Sequence, residues 1–367
     1  MAEIDALLRM LIDRGCSDLH LKAGGPPATR KDGRLTIENG LPVLTAQDTA
    51  RLVSEIADGR HREEFESGGD IDFAYSLDGL GRFRINAFRQ QGTVAVAVRR
   101  VSTCCEDFAS LGLPPVIQNL ANEPRGLVLV TGTAGSGKTT ALAAMIDYIN
   151  KTRDGHIVTI EDPIEVMHSD ARCVVNQREI GTDVASYADA LRHVVRQDPD
   201  IILIGEMRDN ETVSAALTAA EIGNLVLSTL HTIDATETIH RIIDFFPTHQ
   251  HQQVRLMLAS TLRGIISLRL LPAVGGGLVP AAEALVMTGT IREFIIDPEQ
   301  THRIRDAMGE GEYYGMQTFD QALLTLYREG RITLADAMAT AANAHDFSIK
   351  VRQLGNVPGA VAGTGGH

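Results

Sequence analysis

Four short stretches of this 367-residue chain carry residue types arranged to handle a polyphosphate. The first is Gly132-Thr133-Ala134-Gly135-Ser136-Gly137-Lys138-Thr139-Thr140, in which Gly132 to Thr139 satisfy the pattern GxxxxGK[ST]. It lies between the apolar run LVLVTG and an alanine-rich segment of helical character, the strand-loop-helix setting the pattern needs. Glycines in such a loop let consecutive amides turn inward around a β-phosphate, and the start of the helix adds partial positive charge. Lys138 is expected to reach the β- and γ-phosphates, and the Thr139 hydroxyl to bind Mg²⁺, so that ATP with Mg²⁺ is the expected ligand.

The other three stretches are strand ends tipped with acids and a histidine. In IILIGEMRD, Glu206 follows a buried apolar run and is expected to polarise the attacking water, with Gly205 letting the backbone come close to nucleotide or water. A solvent-facing glutamate is the competing reading of Glu206. The run Glu161-Asp162-Pro163-Ile164-Glu165 ends another strand, where proline halts the ladder and leaves carboxylates at the same sheet edge. Glu161 and Asp162 are expected to hold Mg²⁺ through water, or Glu161 to orient the nucleophile; taken alone, an acidic surface turn would look the same. In STLHT, Thr229, His231 and Thr232 sit at a third strand end, and His231 is expected to sense the γ-phosphate.

These side chains need a parallel sheet to gather them. The runs LVLVTG, HIVTIEDP, IILIGEMRD and NLVLSTLHT are continuously apolar and alternate with helical segments, which predicts an α/β fold with a sheet covered on both faces and one crevice at its carboxyl edge. Upstream, apolar residues from Ile4 to Ile12 recur at helical spacing and end at Gly15, predicting an amphipathic opening helix. The segment GRFRINAFRQQGTVAVAVRRV alternates on both sides of Gln91-Gly92 and predicts a hairpin in a small N-terminal α/β domain. Residues 102–115 end in Pro114-Pro115 and are expected to link that domain to the next. After Pro247 the pattern predicts mostly helix, including RLMLASTLRGIISLRLL and TFDQALLTLYREGR. Residues 351–367 are rich in glycine and small residues and are expected to form a flexible tail.

Composition narrows the classes. A chain of this length points to two cores, and 44% apolar with 22% charged residues is ordinary for a folded globular protein. The formal net charge of −13 opposes non-specific attraction to nucleic acid, so no nucleic-acid partner is expected. Cys16, Cys104, Cys105 and Cys173 form no CxxC pair, so neither zinc nor a disulfide framework is expected. No run reaches the length of a membrane helix and the N-terminus lacks signal-peptide character, so a cytoplasmic location is expected.

Taken in order, these motifs resemble the secretion and type IV pilus ATPase superfamily, most closely its pilus-retraction family. The resemblance rests on SDLHL and GGPPATRKDGRL, on GRFRINAF as an arginine-bearing hairpin, on TIEDPIE, RQDPDIILIGEMRD and LVLSTLHT, and on GMQTFDQAL near the C-terminus. It implies a PAS-like N-terminal α/β domain (1–101), a linker, and a RecA-like P-loop ATPase domain with a helical C-terminal part (116–350). It also implies a homo-hexameric ring that docks on an inner-membrane pilus platform protein, peripherally at the pilus base. In such rings hairpin arginines reach the nucleotide; the matching positions are Arg84 and Arg100, with Arg82 third, whereas Arg89 and Arg99 read as solvated strand faces. The chain departs from the family at Ile222-Gly223-Asn224, where TGH is usual, at Ile233, where asparagine is usual, and at Cys104-Cys105. A pilus-extension or type II secretion ATPase, and a nucleotide-dependent switch that does not cycle, stand as the alternative functions.

Overall fold

Residues 3–31, 33–103 and 105–353 are described by the computed structural model of the chain. They divide into two units, one of residues 1–104 with 165–167, the other of 105–164 with 168–367.

The first unit opens with α1 (Glu3–Asp13), which buries Ile4, Leu8 and Leu11 at the spacing of one helix face and stops before Gly15, at φ +65°. Three strands follow, β1 (Asp18–Lys22), β2 (Ala28–Lys31) and β3 (Arg34–Ile37). Then come α2 (Ala46–Ile56), opened by a Thr45–Asp48 capping box, and α3 (Gly59–Gly68), opened by Asp58. The strands β4 (Asp70–Leu77), β5 (Gly81–Gln90) and β6 (Thr93–Arg100) complete a sheet ordered β3-β2-β1-β6-β5-β4, antiparallel throughout. The predicted hairpin is β5–β6, and both turn residues, Gln91 and Gly92, take positive φ as a two-residue turn requires. Phe83, Ile85 and Ala87 face the core with Val94, Val96 and Val98, packed on α1, α2 and α3.

The second unit runs α4 (Val116–Ala121), β7 (Gly126–Thr131), α5 (Lys138–Thr152), β8 (Gly155–Glu161), β9 (Cys173–Glu179), α6 (Tyr187–Val194), β10 (Ile201–Ile204), α7 (Asn210–Ile222) and β11 (Leu225–Leu230). It continues with α8 (Ala235–Asp244), α9 (His251–Thr261), β12 (Leu262–Pro272), β13 (Leu278–Val286), α10 (Gly289–Ile296), α11 (Ile304–Glu310), α12 (Phe319–Arg328), α13 (Leu334–Thr340) and α14 (Ala344–Gln353). The sheet order is β13-β12-β7-β11-β10-β8-β9, parallel except for β13. Every residue of β7 is buried, and its alternation feeds two cores. Leu127 and Leu129 join the face covered by α6 to α10, whereas Val128 and Val130 join the face covered by α4 and α5. Phe108 and Leu113, from the segment expected to be a linker, pack on that second core.

The helical reading after Pro247 holds for α9 and for α10 to α14 but fails between them. LRGIISLRLLP is strand β12, hydrogen-bonded to β7 on one side and β13 on the other. Its apolar residues face covered surface on both sides of the sheet, so they lack the period of two that exposes a strand, and a run buried all round reads equally well as helix. Beyond the strands, α12, α13 and α14 close a small core around Phe319, Leu323, Ala337 and Phe347. Val351 to Gln353, expected in the tail, end α14, and the rest of that tail, with Cys104, lies outside the described residues. Among the described residues no helix is long and apolar enough to cross a membrane.

Candidate active site

The glycine loop joins β7 to α5 with Gly132, Gly135 and Gly137 all at positive φ, which side chains other than glycine rarely adopt. A Cβ on Gly132 would lie 2.4 Å from Ser136 Oγ and 2.5 Å from the Leu268 carbonyl oxygen, so this glycine is fixed by crowding as well as by φ. Lys138, the first residue of α5, is buried, and its ammonium donates to the carbonyls of Gly132 and Thr133, each at 2.9 Å. Thr133, Ala134, Gly135, Thr139 and Thr140 are exposed, while Ser136 is buried. The turn of amides at a helix start, with a lysine at its centre, fits a polyphosphate, and the exposed Thr139 hydroxyl fits a phosphate-bound Mg²⁺.

Because β7, β11, β10 and β8 are parallel, their carboxyl ends share one edge of the sheet. There His231 lies between two of the expected site residues. Its Nδ1 is 3.4 Å from Lys138 Nζ and its Nε2 is 3.4 Å from Glu206 Oε1. An ammonium only donates, so Nδ1 must offer its lone pair and Nε2 its proton to Glu206. The second oxygen of Glu206 is gripped by Arg208, whose Nε and terminal nitrogen each approach Oε2 to 2.8 Å. Glu206 holds the Arg208 guanidinium above its ordinary pKa. Glu206 therefore does not point idly into solvent; it lies within a chain Lys138–His231–Glu206–Arg208.

Glu161 is buried at the end of β8, and its Oε1 accepts from Thr159 Oγ1 at 2.6 Å and from Gln177 at 3.1 Å. Asp162 is exposed, and Glu165, expected beside them, groups with the first unit. Gly205 serves differently from the expectation. A Cβ there would meet the Tyr187 hydroxyl at 2.8 Å and the Ile160 carbonyl at 3.3 Å, so the glycine makes room for a neighbouring strand and helix. Burial, with Asp162 next, pushes the Tyr187 phenol well above its ordinary range. Thr229 donates to the Gly205 carbonyl at 2.7 Å and Thr232 bonds Thr238, so both threonines tie the edge together. Asn224, at the family's other histidine position, lies at the opposite end of β11 from His231 and donates to the Pro199 carbonyl. In the first unit, Arg84 is exposed across from Arg99, near Asp72 at 3.8 Å, whereas Arg100 pairs in register with Phe83 and so lies on the other face.

Sequence reasoning missed three contributors. Arg208 and Tyr187 are two, and the only signal for Arg208 was a basic residue two places after the acid. The third is a cavity of about 280 Å³ beside Ser136, Gly137 and Thr140, walled by Leu111, Leu113, Leu268 and Leu270 with Glu106 and Ser110 as polar groups. No sequence pattern joins residues 106–113 to residues 268–280; the strand β12 does.

The model of the type II/IV secretion system protein family matches residues 74–340. The chain is 43% identical to the type IV pilus retraction ATPase PilT of Pseudomonas aeruginosa, over 94% of this chain and all of that one. The chain belongs to the PilT family of type II/IV secretion system ATPases. A second relative, the twitching motility protein of Neisseria gonorrhoeae, is 41% identical over 84% of this chain and 82% of its own. The crystal structure of the pilus retraction motor PilT with bound ADP superposes with a TM-score of 0.86 at 46% identity, covering 93% of this chain and 97% of that one. This PilT-family member is thus an α/β ATPase with an N-terminal domain ahead of its P-loop domain.

Proposed function

We propose that this ATPase powers retraction of type IV pili as a cytoplasmic homo-hexamer, held peripherally on an inner-membrane platform protein. The observation that carries the chemistry is the unbroken chain Lys138–His231–Glu206 at the carboxyl edge of the sheet, next to the glycine loop. The support for retraction is full-length similarity to a protein named for that activity.

In this reading the amides of Gly132 to Thr140 hold the polyphosphate, and the cavity beside Ser136 takes the nucleoside. Thr139, with Glu161 and Asp162 through water, would hold Mg²⁺, which would supply positive charge to the phosphates. Glu206 accepts the proton of the attacking water, whose oxygen bonds to the γ-phosphorus as ADP leaves. Lys138 balances charge on the transferred group and His231 senses its presence; because Arg84 and Arg100 lie on opposite faces of the hairpin, only one of them serves the same charge in the ring. Residues 102–115 connect the two domains, with Phe108, Leu111 and Leu113 packed on the core of the second. Sequential closure around the ring then lowers or turns a central partner.

Steady-state phosphate release by the purified hexamer, together with pilus number in a deletion strain, tests the proposal. Turnover with surface pili accumulating in the deletion supports it. Negligible turnover, or loss of surface pili, overturns it.

A further inference from the structure

We infer that Arg208 is a positioning residue for ATP hydrolysis: its guanidinium fixes the plane of the Glu206 carboxylate, and so the direction from which that group meets the reacting water. The inference rests on Glu206 being the general base and adds to that reading the residue that aims it.

Glu206 follows β10 with its side chain only 17% exposed, and a carboxylate has two oxygens that can exchange places by a half-turn. The two are equivalent, so the half-turn itself changes nothing; what must be held is the plane of the carboxylate between half-turns. Both close nitrogens of Arg208 converge on Oε2 at 2.8 Å, within the range of charge-assisted bonds. Oε1 is left toward His231 Nε2 at 3.4 Å, on the side where Lys138 Nζ lies 3.4 Å beyond the imidazole. One lone pair of Oε1 accepts from His231 and the other is left for water, while Oε2 is occupied by a permanent cation. An arginine suits the task because two of its N–H groups lie in one rigid plane, so the grip fixes the carboxylate torsion and not merely its charge. A lysine would offer a point charge free to swing.

The surroundings favour this arrangement. Glu206 and Arg208 are two residues apart, on a segment whose start is pinned by the Gly205 amide on the Ile160 carbonyl and by the Met207 amide on the Thr229 carbonyl. Asp162 and Tyr187 also act on Arg208, but Glu206 dominates. With 61% of its side chain exposed, Arg208 is no pillar of the core, so its loss leaves the fold standing.

A double-mutant cycle on the full-length enzyme tests the inference, with kcat, KM for ATP, affinity for a non-hydrolysable ATP analogue and melting temperature read for Arg208→Ala, Arg208→Lys, Glu206→Gln and Glu206→Gln with Arg208→Ala. Arg208→Ala is expected to lower kcat on the order of 10-fold to 100-fold, with KM and analogue affinity within about twofold. Arg208→Lys is expected to recover only a minor part of that loss. On the Glu206→Gln background, Arg208→Ala is expected to cost nothing further, because there is no base left to aim. Three results overturn the inference: normal kcat in Arg208→Ala; full rescue by lysine; or an equal further loss on the Glu206→Gln background, which would assign Arg208 its own contact with phosphate. If Glu206→Gln alone turns over normally, the base assignment has failed instead, and the two failures are told apart.

Discussion

Replacing Gly205 by alanine separates a positional role for this glycine from one in nucleotide contact. The added Cβ would sit 2.8 Å from the Tyr187 hydroxyl, with the Ile160 carbonyl at 3.3 Å and the Glu161 Cα at 3.4 Å. Ordinary van der Waals contact begins near 3.4 Å, so roughly 0.6 Å must be found. Neither backbone neighbour can yield it, since both belong to β8, which is hydrogen-bonded to β10 and β9. The movement therefore falls on Tyr187, at the start of α6, or on the end of β10 that carries Glu206. Overpacking of this kind costs about 1–3 kcal/mol, and a domain of this size then loses on the order of 2–10 °C in melting temperature. Displacement of the Glu206 carboxylate by about half an ångström is expected to reduce kcat on the order of tenfold, leaving analogue affinity within about twofold. Phosphate release, isothermal titration with an ATP analogue and thermal melting read these quantities. Adding Tyr187→Phe removes the offending oxygen and is expected to restore most of the lost turnover. Undiminished turnover in Gly205→Ala, or no recovery on adding Tyr187→Phe, refutes the packing argument; a loss of analogue affinity matching the loss of turnover points back to nucleotide contact.

Other expectations follow from the same geometry. Gly132→Ala combines φ +143° with a Cβ 2.5 Å from the Leu268 carbonyl, and is expected to weaken analogue binding at least tenfold in a titration. Glu283, buried on β13 and accepting from the Ala235 amide, has its pKa raised from 4.5 to about 7, first by burial and then by Asp234, with Arg305 opposing. Its folded pKa lies above its unfolded one, so its contribution is fully present below 4.5 and is lost as pH rises to about 7, roughly 3 kcal/mol at the most. Thermal melting is expected to show Glu283→Gln gaining on the parent protein from pH 5 to pH 8; a constant difference would contradict the assignment.

The sequence announced the parts of the site that lie close together along the chain. Gly132 to Thr139 are contiguous, and the strand ends at Glu161, Glu206 and His231 each follow a continuous apolar run, so a parallel sheet gathering them was readable. What it could not announce depends on partners distant in sequence. Glycine before an acid suggests close approach of the Gly205 backbone to nucleotide or water, but nothing in that pattern shows the Tyr187 hydroxyl, 18 residues upstream on α6, which a Cβ at Gly205 would meet. The plane of the Glu206 carboxylate is set by Arg208 and His231, one a near neighbour and the other from β11. The strand β12 was hidden because burial on both faces erases its period, and with it went the wall formed by Leu268 and Leu270 beside the phosphate loop. The reading of the hairpin predicted β5 and β6 well, since alternation exposes one face of them, but could not tell that Arg84 and Arg100 lie on opposite faces.

The central proposal is that Glu206 takes the proton from water while the loop and Lys138 keep the nucleotide. Glu206→Gln keeps the size of the side chain while removing its basicity and the charge that Arg208 grips, so single-turnover hydrolysis of ATP by that variant, measured beside its affinity for an ATP analogue, is the most direct test. The expected result is affinity within about twofold of the parent and hydrolysis slowed by at least two orders of magnitude. Hydrolysis at the parent rate would contradict the account.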